Sequence, residues 1–366
     1  MYVLGLDVGG ANTKATLIRT SEGSLRDSKS EVAYFPIWKR GIEELPNVLE
    51  ALRTKLMGSR TPHGVGVTMT AELSDAYGTK REGVNHILDC AERVFSDTPI
   101  LVLDVEANLI SVEEARRRPL RVAAANWAAT GWMASNLFRN CIVVDVGSTT
   151  TSIIPVVEGR IAAAGKTDLE KLLNGELVYT GALRTSVAAI VDSIPIRDGK
   201  ARVSSELFAL SGDVHLILGN LGEEDYTTET ADGRGKTRRE AMARLARVVC
   251  ADIETLTEGE ILAVAQHISA AQVEQIAEAL NQVYDRTSLG PKGEVWIVVT
   301  GVGKDFLARR AAGRAGFGRI VDLGKLMGRD AAIASPSFGV ALMAASRLQG
   351  RRVAYGGRGE VWGKPR

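Results

Sequence analysis

The sequence predicts a mixed α/β fold made of two similarly built halves, and three observations predict it. Residues 6–18 superpose on residues 144–156 at one offset, so that Asp7, Val8, Gly9 and Thr13 fall on Asp145, Val146, Gly147 and Thr151. In both segments an apolar strand delivers an Asp into a small-residue turn, and a second apolar strand returns, as in a tight hairpin. Between and after these hairpins, short apolar runs alternate with helical periodicity, the pattern of parallel sheets covered by helices. The chain has 366 residues, 45% hydrophobic and 24% charged, which is enough for two domains with substantial cores.

In chain order, Gly64–Thr70 and Ile100–Asp104 read as buried parallel strands, each apolar with a polar end. Helices are predicted over 41–57 and 84–95, the second stopped by Asp97-Thr98-Pro99. The uncharged stretch Val122–Phe138 falls short of the ~20 residues that span a bilayer and reads as buried helix and turn. Residues 159–235 are the least regular part, with Gly/Asp turns. Lys236–Thr257 and Ser269–Arg286 have helical periodicity, with Ser269 as the expected N-cap. Glu294–Lys304 is a strand running into a Gly turn, and 336–347 is a final apolar helix with Pro336 in its first turn. The Gly- and Arg-rich last fifteen residues are expected to be loosely ordered.

Lys+Arg (45) and Asp+Glu (44) nearly cancel to +1, which gives no electrostatic footprint for nucleic acid or a membrane surface. Three scattered cysteines with no CxxC exclude a zinc ribbon or disulfide framework and suit a reducing, cytoplasmic compartment. His86 and Cys90 are four apart on one helical face, but two ligands make no zinc site.

The turns carry the chemistry. Gly9, Gly10, Asn12, Thr13 and Lys14 in loop one, and Gly147, Ser148, Thr149 and Thr150 in loop two, supply converging N–H and O–H donors suited to phosphate oxygens. Asp7 and Asp145 at the strand ends cannot take phosphate directly and are expected to hold a hydrated Mg²⁺ bridging to it. Gly301, Gly303 and Lys304 form a third Gly turn, which matches neither a Walker loop nor a GxGxxG fingerprint and gains weight only from the two hairpins before it.

This set of segments resembles the actin, sugar kinase and Hsp70 superfamily over nearly the whole chain, with a connecting segment near Asp104–Asn108. The resemblance implies two ribonuclease-H-like domains flanking a cleft, the first from 1–140 plus 336–350, the second from 141–335 with an insertion at about 159–260. Within it, the runs TMTAEL (residues 68–73), DVGSTTT (145–151) and GELVYTGALRT (175–185) are similar to the hydantoinase/oxoprolinase-like branch, and more closely to its methanofuran-biosynthesis synthases.

That family joins a furanmethyl diphosphate to the phenol oxygen of a tyramine or tyrosine unit and releases diphosphate. The resemblance implies Mg²⁺, small-molecule substrates, and no nucleic-acid or membrane partner; a homodimer is left open. A phenol of pKa ~10 benefits from a carboxylate base. Glu72, just past a buried strand, and Asp168 are the candidates, although Asp168 could equally N-cap a helix over 167–174. Tyr179, Arg184 and His215, in the insertion, are expected to cover the second substrate, Arg184 by meeting a carboxylate. An ATP-dependent small-molecule kinase, a hydantoinase-type amidohydrolase and a non-catalytic nucleotide-sensing module are the competing readings.

Overall fold

The computed structural model describes residues 1–355. A six-stranded sheet is built from β1 (Tyr2–Val8), β2 (Asn12–Ser21), β3 (Ser24–Tyr34), β4 (Gly64–Met69), β5 (Ile100–Leu103) and β6 (Leu109–Ser111), in the order β3-β2-β1-β4-β5-β6. The second half repeats the core of this arrangement. There β7 (Cys141–Val146) and β8 (Thr151–Val157) form the hairpin, extended by β9 (Arg160–Ile161) and β10 (Leu177–Val178). An isolated hairpin of β11 (Ser193–Ile196) and β12 (Gly199–Arg202) follows, and β13 (Trp296–Thr300) and β14 (Arg319–Asp322) complete the sheet, β10-β8-β7-β13-β14.

The repeat extends to register. In each half the first strand pairs antiparallel with its hairpin partner and parallel with a later buried strand, which sets Asp7 beside Thr68 and Asp145 beside Thr300. Gly9 N–H donates to the Asn12 carbonyl at 3.1 Å, and Gly147 N–H donates to Thr150 at 2.9 Å, so both turns close in the same way. The expected pair of ribonuclease-H-like units is therefore present.

One apolar cluster fills each half, and a third lies along the seam, where the Asn126–Leu137 and Ser335–Gln349 helices pack together. The Ser335–Gln349 helix is tied to both sheets: Ser337 Oγ meets Thr16 Oγ1 at 2.7 Å and Ser335 Oγ meets Thr300 Oγ1 at 2.8 Å. Gly5 permits this approach, since a Cβ there would sit 1.9 Å from the Ser337 carbonyl.

Several expected boundaries move. Ser269 is not an N-cap: it lies buried inside one helix, Glu258–Asp285, which Thr257 caps in a reciprocal box with Glu260. The helix expected over Lys236–Thr257 is Arg238–Arg247, capped by Thr237 with Glu240. Thr167, not Asp168, caps Asp168–Leu173. Of the C-terminal stretch, residues up to Tyr355 are tied down, with Ala354 N–H donating to Gly23 at 2.7 Å and Asn136 donating to the Tyr355 hydroxyl at 2.8 Å; the remainder lies outside the described residues. No helix among the described residues is long and apolar enough to cross a membrane.

Candidate active site between the two halves

The two Asp-ended hairpins share one electrostatic environment. Asp7 is 5% exposed and its Oδ1 has no hydrogen-bond partner. Burial pushes its carboxyl up to about 6; Lys14, its cross-strand neighbour, pulls the other way, and Asp145 from the opposite half adds a like-charge push. Asp145 is raised too, by burial, and also lies within reach of the Lys14 charge. Around Asp7, Asn12 Oδ1, Thr13 Oγ1 and Thr68 Oγ1 are likewise buried and unpartnered. Buried polar atoms normally find partners, so this cluster of orphans marks where a polar ligand belongs.

Among the described residues no group of three or more His, Cys, Asp or Glu converges as a metal cage. Two carboxylates at the ends of glycine-turned hairpins nevertheless suit Mg²⁺, which keeps several waters and binds through one or two carboxylates plus substrate phosphates.

Glu72 sits on the turn after β4, next to loop one, where Thr70 N–H donates to the Val8 carbonyl at 2.9 Å. It is 1% exposed, and neither carboxylate oxygen has a partner. Burial raises its pKa to about 7, and the Lys80 charge offsets only part of that rise. Gly83 allows the burial: a Cβ there would meet the Glu72 Cα at 2.5 Å. Asp168, the other candidate base, instead accepts from Lys80 of the first half at 2.6 Å.

The third turn packs on loop two. Gly301, at φ +85°, leaves no room for a Cβ, which would fall 2.3 Å from the Val146 carbonyl and 2.7 Å from Asp145 Oδ1. Gly303 N–H donates to Val146 at 3.0 Å. The Lys304 ammonium is held by Asp322 at 2.5 Å. His215 is also corrected. Fully buried in the second half, it bonds Gln272 at 2.9 Å and Asn220 at 3.1 Å, and burial pushes it down to about 4, so it supports the insertion rather than meeting a substrate. Tyr179 is 60% exposed. His86 and Cys90 do share a face, with Sγ 3.5 Å from Nε2, and Tyr77 also bonds His86.

Sequence reasoning missed three participants. Lys80 binds Asp168, and Trp38 lies under Arg184 with the guanidinium carbon 4.6 Å from the ring centroid. Lys171 is 2% exposed with an unpartnered Nζ 3.7 Å from the Trp127 ring centroid, and burial pushes its pKa down to about 7. An aromatic four residues after Tyr34 and a Lys in a six-residue helix carry no motif; only contact between the halves reveals them.

Charged and aromatic contacts join the two halves. On one side Lys80 meets Asp168, and Lys166 meets Glu106 at 3.1 Å. On the other, Lys39 meets Glu229 at 2.5 Å, Glu229 N–H donates to the Tyr34 hydroxyl at 3.3 Å, and Arg184 covers Trp38.

The fold is that of the actin, sugar kinase and Hsp70 class, two sheets each carrying an Asp-ended hairpin. The chain belongs to the hydantoinase/oxoprolinase family, whose pattern it matches over residues 63–347. It is 38% identical to the (4-{4-[2-(gamma-L-glutamylamino)ethyl]phenoxymethyl}furan-2-yl)methanamine synthase of Methanocaldococcus jannaschii over 95% of this chain and 99% of that one. It is 35% identical to the synthase of the same name from Methanococcus vannielii, over 60% of this chain and 97% of that one. The nucleotide-free structure of an acetone carboxylase shares the fold at 11% identity, with a TM-score of 0.53 over 93% of this chain and 70% of that chain.

Proposed function

We propose that this protein is a transferase that condenses an (aminomethyl)furanmethyl diphosphate with the phenol of a glutamylated tyramine- or tyrosine-type substrate, forming an aryl–alkyl ether and releasing diphosphate. The observation that carries this reading is the pairing of two Asp-ended, Gly-turned hairpins across one cleft with a dry, unpartnered carboxylate, Glu72, beside the first. The names of the two synthases supply the product class.

Loops one and two present N–H and hydroxyl donors to the diphosphate. Asp7 and Asp145 would hold Mg²⁺, which when bound neutralises charge on the leaving diphosphate. As the bond to oxygen breaks, the furanmethyl carbon gains positive charge that its own ring oxygen shares, so no protein nucleophile is required. Glu72 accepts the phenol proton; at about 7 it is strong enough as a base and still ionised in part at neutral pH. The contacts between the halves keep water out, because water meeting that carbon would give the furan alcohol in place of the ether.

The purified protein with Mg²⁺, the furan diphosphate and tyramine- or tyrosine-type phenols should release pyrophosphate together with an ether-linked product. If no phenol raises pyrophosphate release, or if the furan alcohol is the sole organic product, the reading is wrong.

A further inference from the structure

Arg184 carries a charge that the protein does not balance. Its side chain is half-buried, and among the described residues no carboxylate lies within ion-pair reach of it. Arg244, buried in the same half, shows the usual arrangement, with Asp213 at 2.8 Å and Asp232 at 3.2 Å. A guanidinium does not lose its proton in a protein, so one held between the two halves with no carboxylate on it is free to take an anion from outside.

The backbone around Arg184 is stitched to loop two. Ala182 N–H donates to the Gly147 carbonyl, and Leu183 and Arg184 N–H donate to Ser148, each at 2.9 Å. Gly181 makes this possible, since a Cβ there would lie 2.5 Å from the Thr149 carbonyl carbon. The guanidinium itself donates to Thr149 Oγ1 at 3.2 Å, and its flat face rests on Trp38 of the opposite half. A planar fork held on one face by an indole and on one edge by a loop hydroxyl leaves its remaining donors for a bidentate oxyanion.

Resting on the ether-forming reading above, we propose that Arg184 is a catalytic residue that binds the departing diphosphate at loop two, and that Trp38 is the positioning residue that holds it there. In the step concerned, the bond between the furanmethyl carbon and the diphosphate oxygen breaks, and its electron pair stays on that oxygen. The phenol oxygen forms the new bond to carbon, and the phenol proton passes to Glu72. Arg184 forms no covalent bond; its donors meet charge that grows on the diphosphate. Because Trp38 and Arg184 come from different halves, the guanidinium is set in place only when the cleft is closed, which couples closure to departure of the leaving group.

Calorimetry with magnesium pyrophosphate and steady-state kinetics on the full chain test this. Arg184→Lys should bind magnesium pyrophosphate about tenfold more weakly and lose about 10²–10³ in kcat, the usual loss for one transition-state donor. Trp38→Phe should retain most of kcat, since a flat ring still supports the guanidinium, whereas Trp38→Ala should lose about tenfold. In the unmutated protein, pyrophosphate should protect Arg184 from phenylglyoxal and glutamate should not. If Arg184→Lys raises KM for the phenolic substrate alone, leaving kcat and pyrophosphate affinity intact, Arg184 meets that substrate's carboxylate and the assignment is overturned. Pyrophosphate binding that depends on Arg184, in a protein that makes no ether, would uphold the assignment while refuting the ether-forming reading.

Discussion

Lys80 of the first half donates to Asp168 of the second at 2.6 Å, and this pairing separates two carboxylates that look alike in sequence. Asp168 is ion-paired across the halves and joins them. Glu72, within electrostatic range of both, is left with two buried oxygens and no partner. Burial without a partner is what raises a carboxyl into the range of a base at neutral pH.

The pH dependence should expose Glu72. Its pKa is raised from 4.5 to about 7, and a base works only when ionised, so kcat should rise with pH through about 7. Glu72→Gln should remove that limb and slow ether formation far more than it weakens pyrophosphate binding. Stability should move the opposite way. A carboxyl raised on folding favours the fold below its unfolded value near 4.5, and that benefit is lost as pH climbs through about 7. Glu72→Gln should therefore be the more stable protein at pH 8, by up to roughly 3 kcal/mol at 1.36 kcal/mol per unit. Denaturant melts at pH 5 and 8 would check it; equal stability of the two proteins at pH 8 would refute it.

Asp7→Asn and Asp145→Asn should each lower turnover at least about a hundredfold while leaving the far-ultraviolet spectrum unchanged. Among the described residues neither Asp side chain makes a hydrogen bond that holds the fold, and Asp7 Oδ1 has no partner to lose. Normal turnover of either variant at low Mg²⁺ would remove both from the proposed metal site.

Turnover should need no ATP. The Gly301–Lys304 turn is spent on contact with Val146, and Lys304 on Asp322. Adding ATP to the complete reaction should change neither rate nor yield. ADP formed in proportion to product would instead identify a kinase-type step.

Loosening the contact between the halves should let water in. Lys80→Met removes the cation that ties Asp168 to the first half, and the ratio of furan alcohol to ether should rise several-fold. Product chromatography reads this ratio directly, and an unchanged ratio would show that the Lys80–Asp168 pair does not guard the site.

Much of the frame is local and was legible. The repeat of Asp, Val, Gly and Thr at one offset encodes two hairpins because an alternating strand, a turn with a required glycine and a returning strand depend on neighbours in sequence. The buried strand before Glu72 and the apolar helix closing the chain follow from the same short-range rules. The expected helix starts differ from the observed ones where a Thr-x-x-Glu box sets the boundary. Thr257 with Glu260 would have found the start of the long helix, and Thr237 with Glu240 that of its predecessor.

By itself the sequence determined the two Asp-ended loops, the glycines that shape them and Glu72 as an acid at a strand end. Which charges stay free was decided only by the tertiary structure. Lys304 is taken by Asp322, Asp168 by Lys80, and His215 by Gln272, whereas Glu72 and Arg184 find no counter-charge. Hairpin geometry arises from interactions a few residues apart. The freedom of a charge depends on burial and on partners tens to hundreds of residues away, such as Trp38 beneath Arg184, and no local pattern encodes those distances.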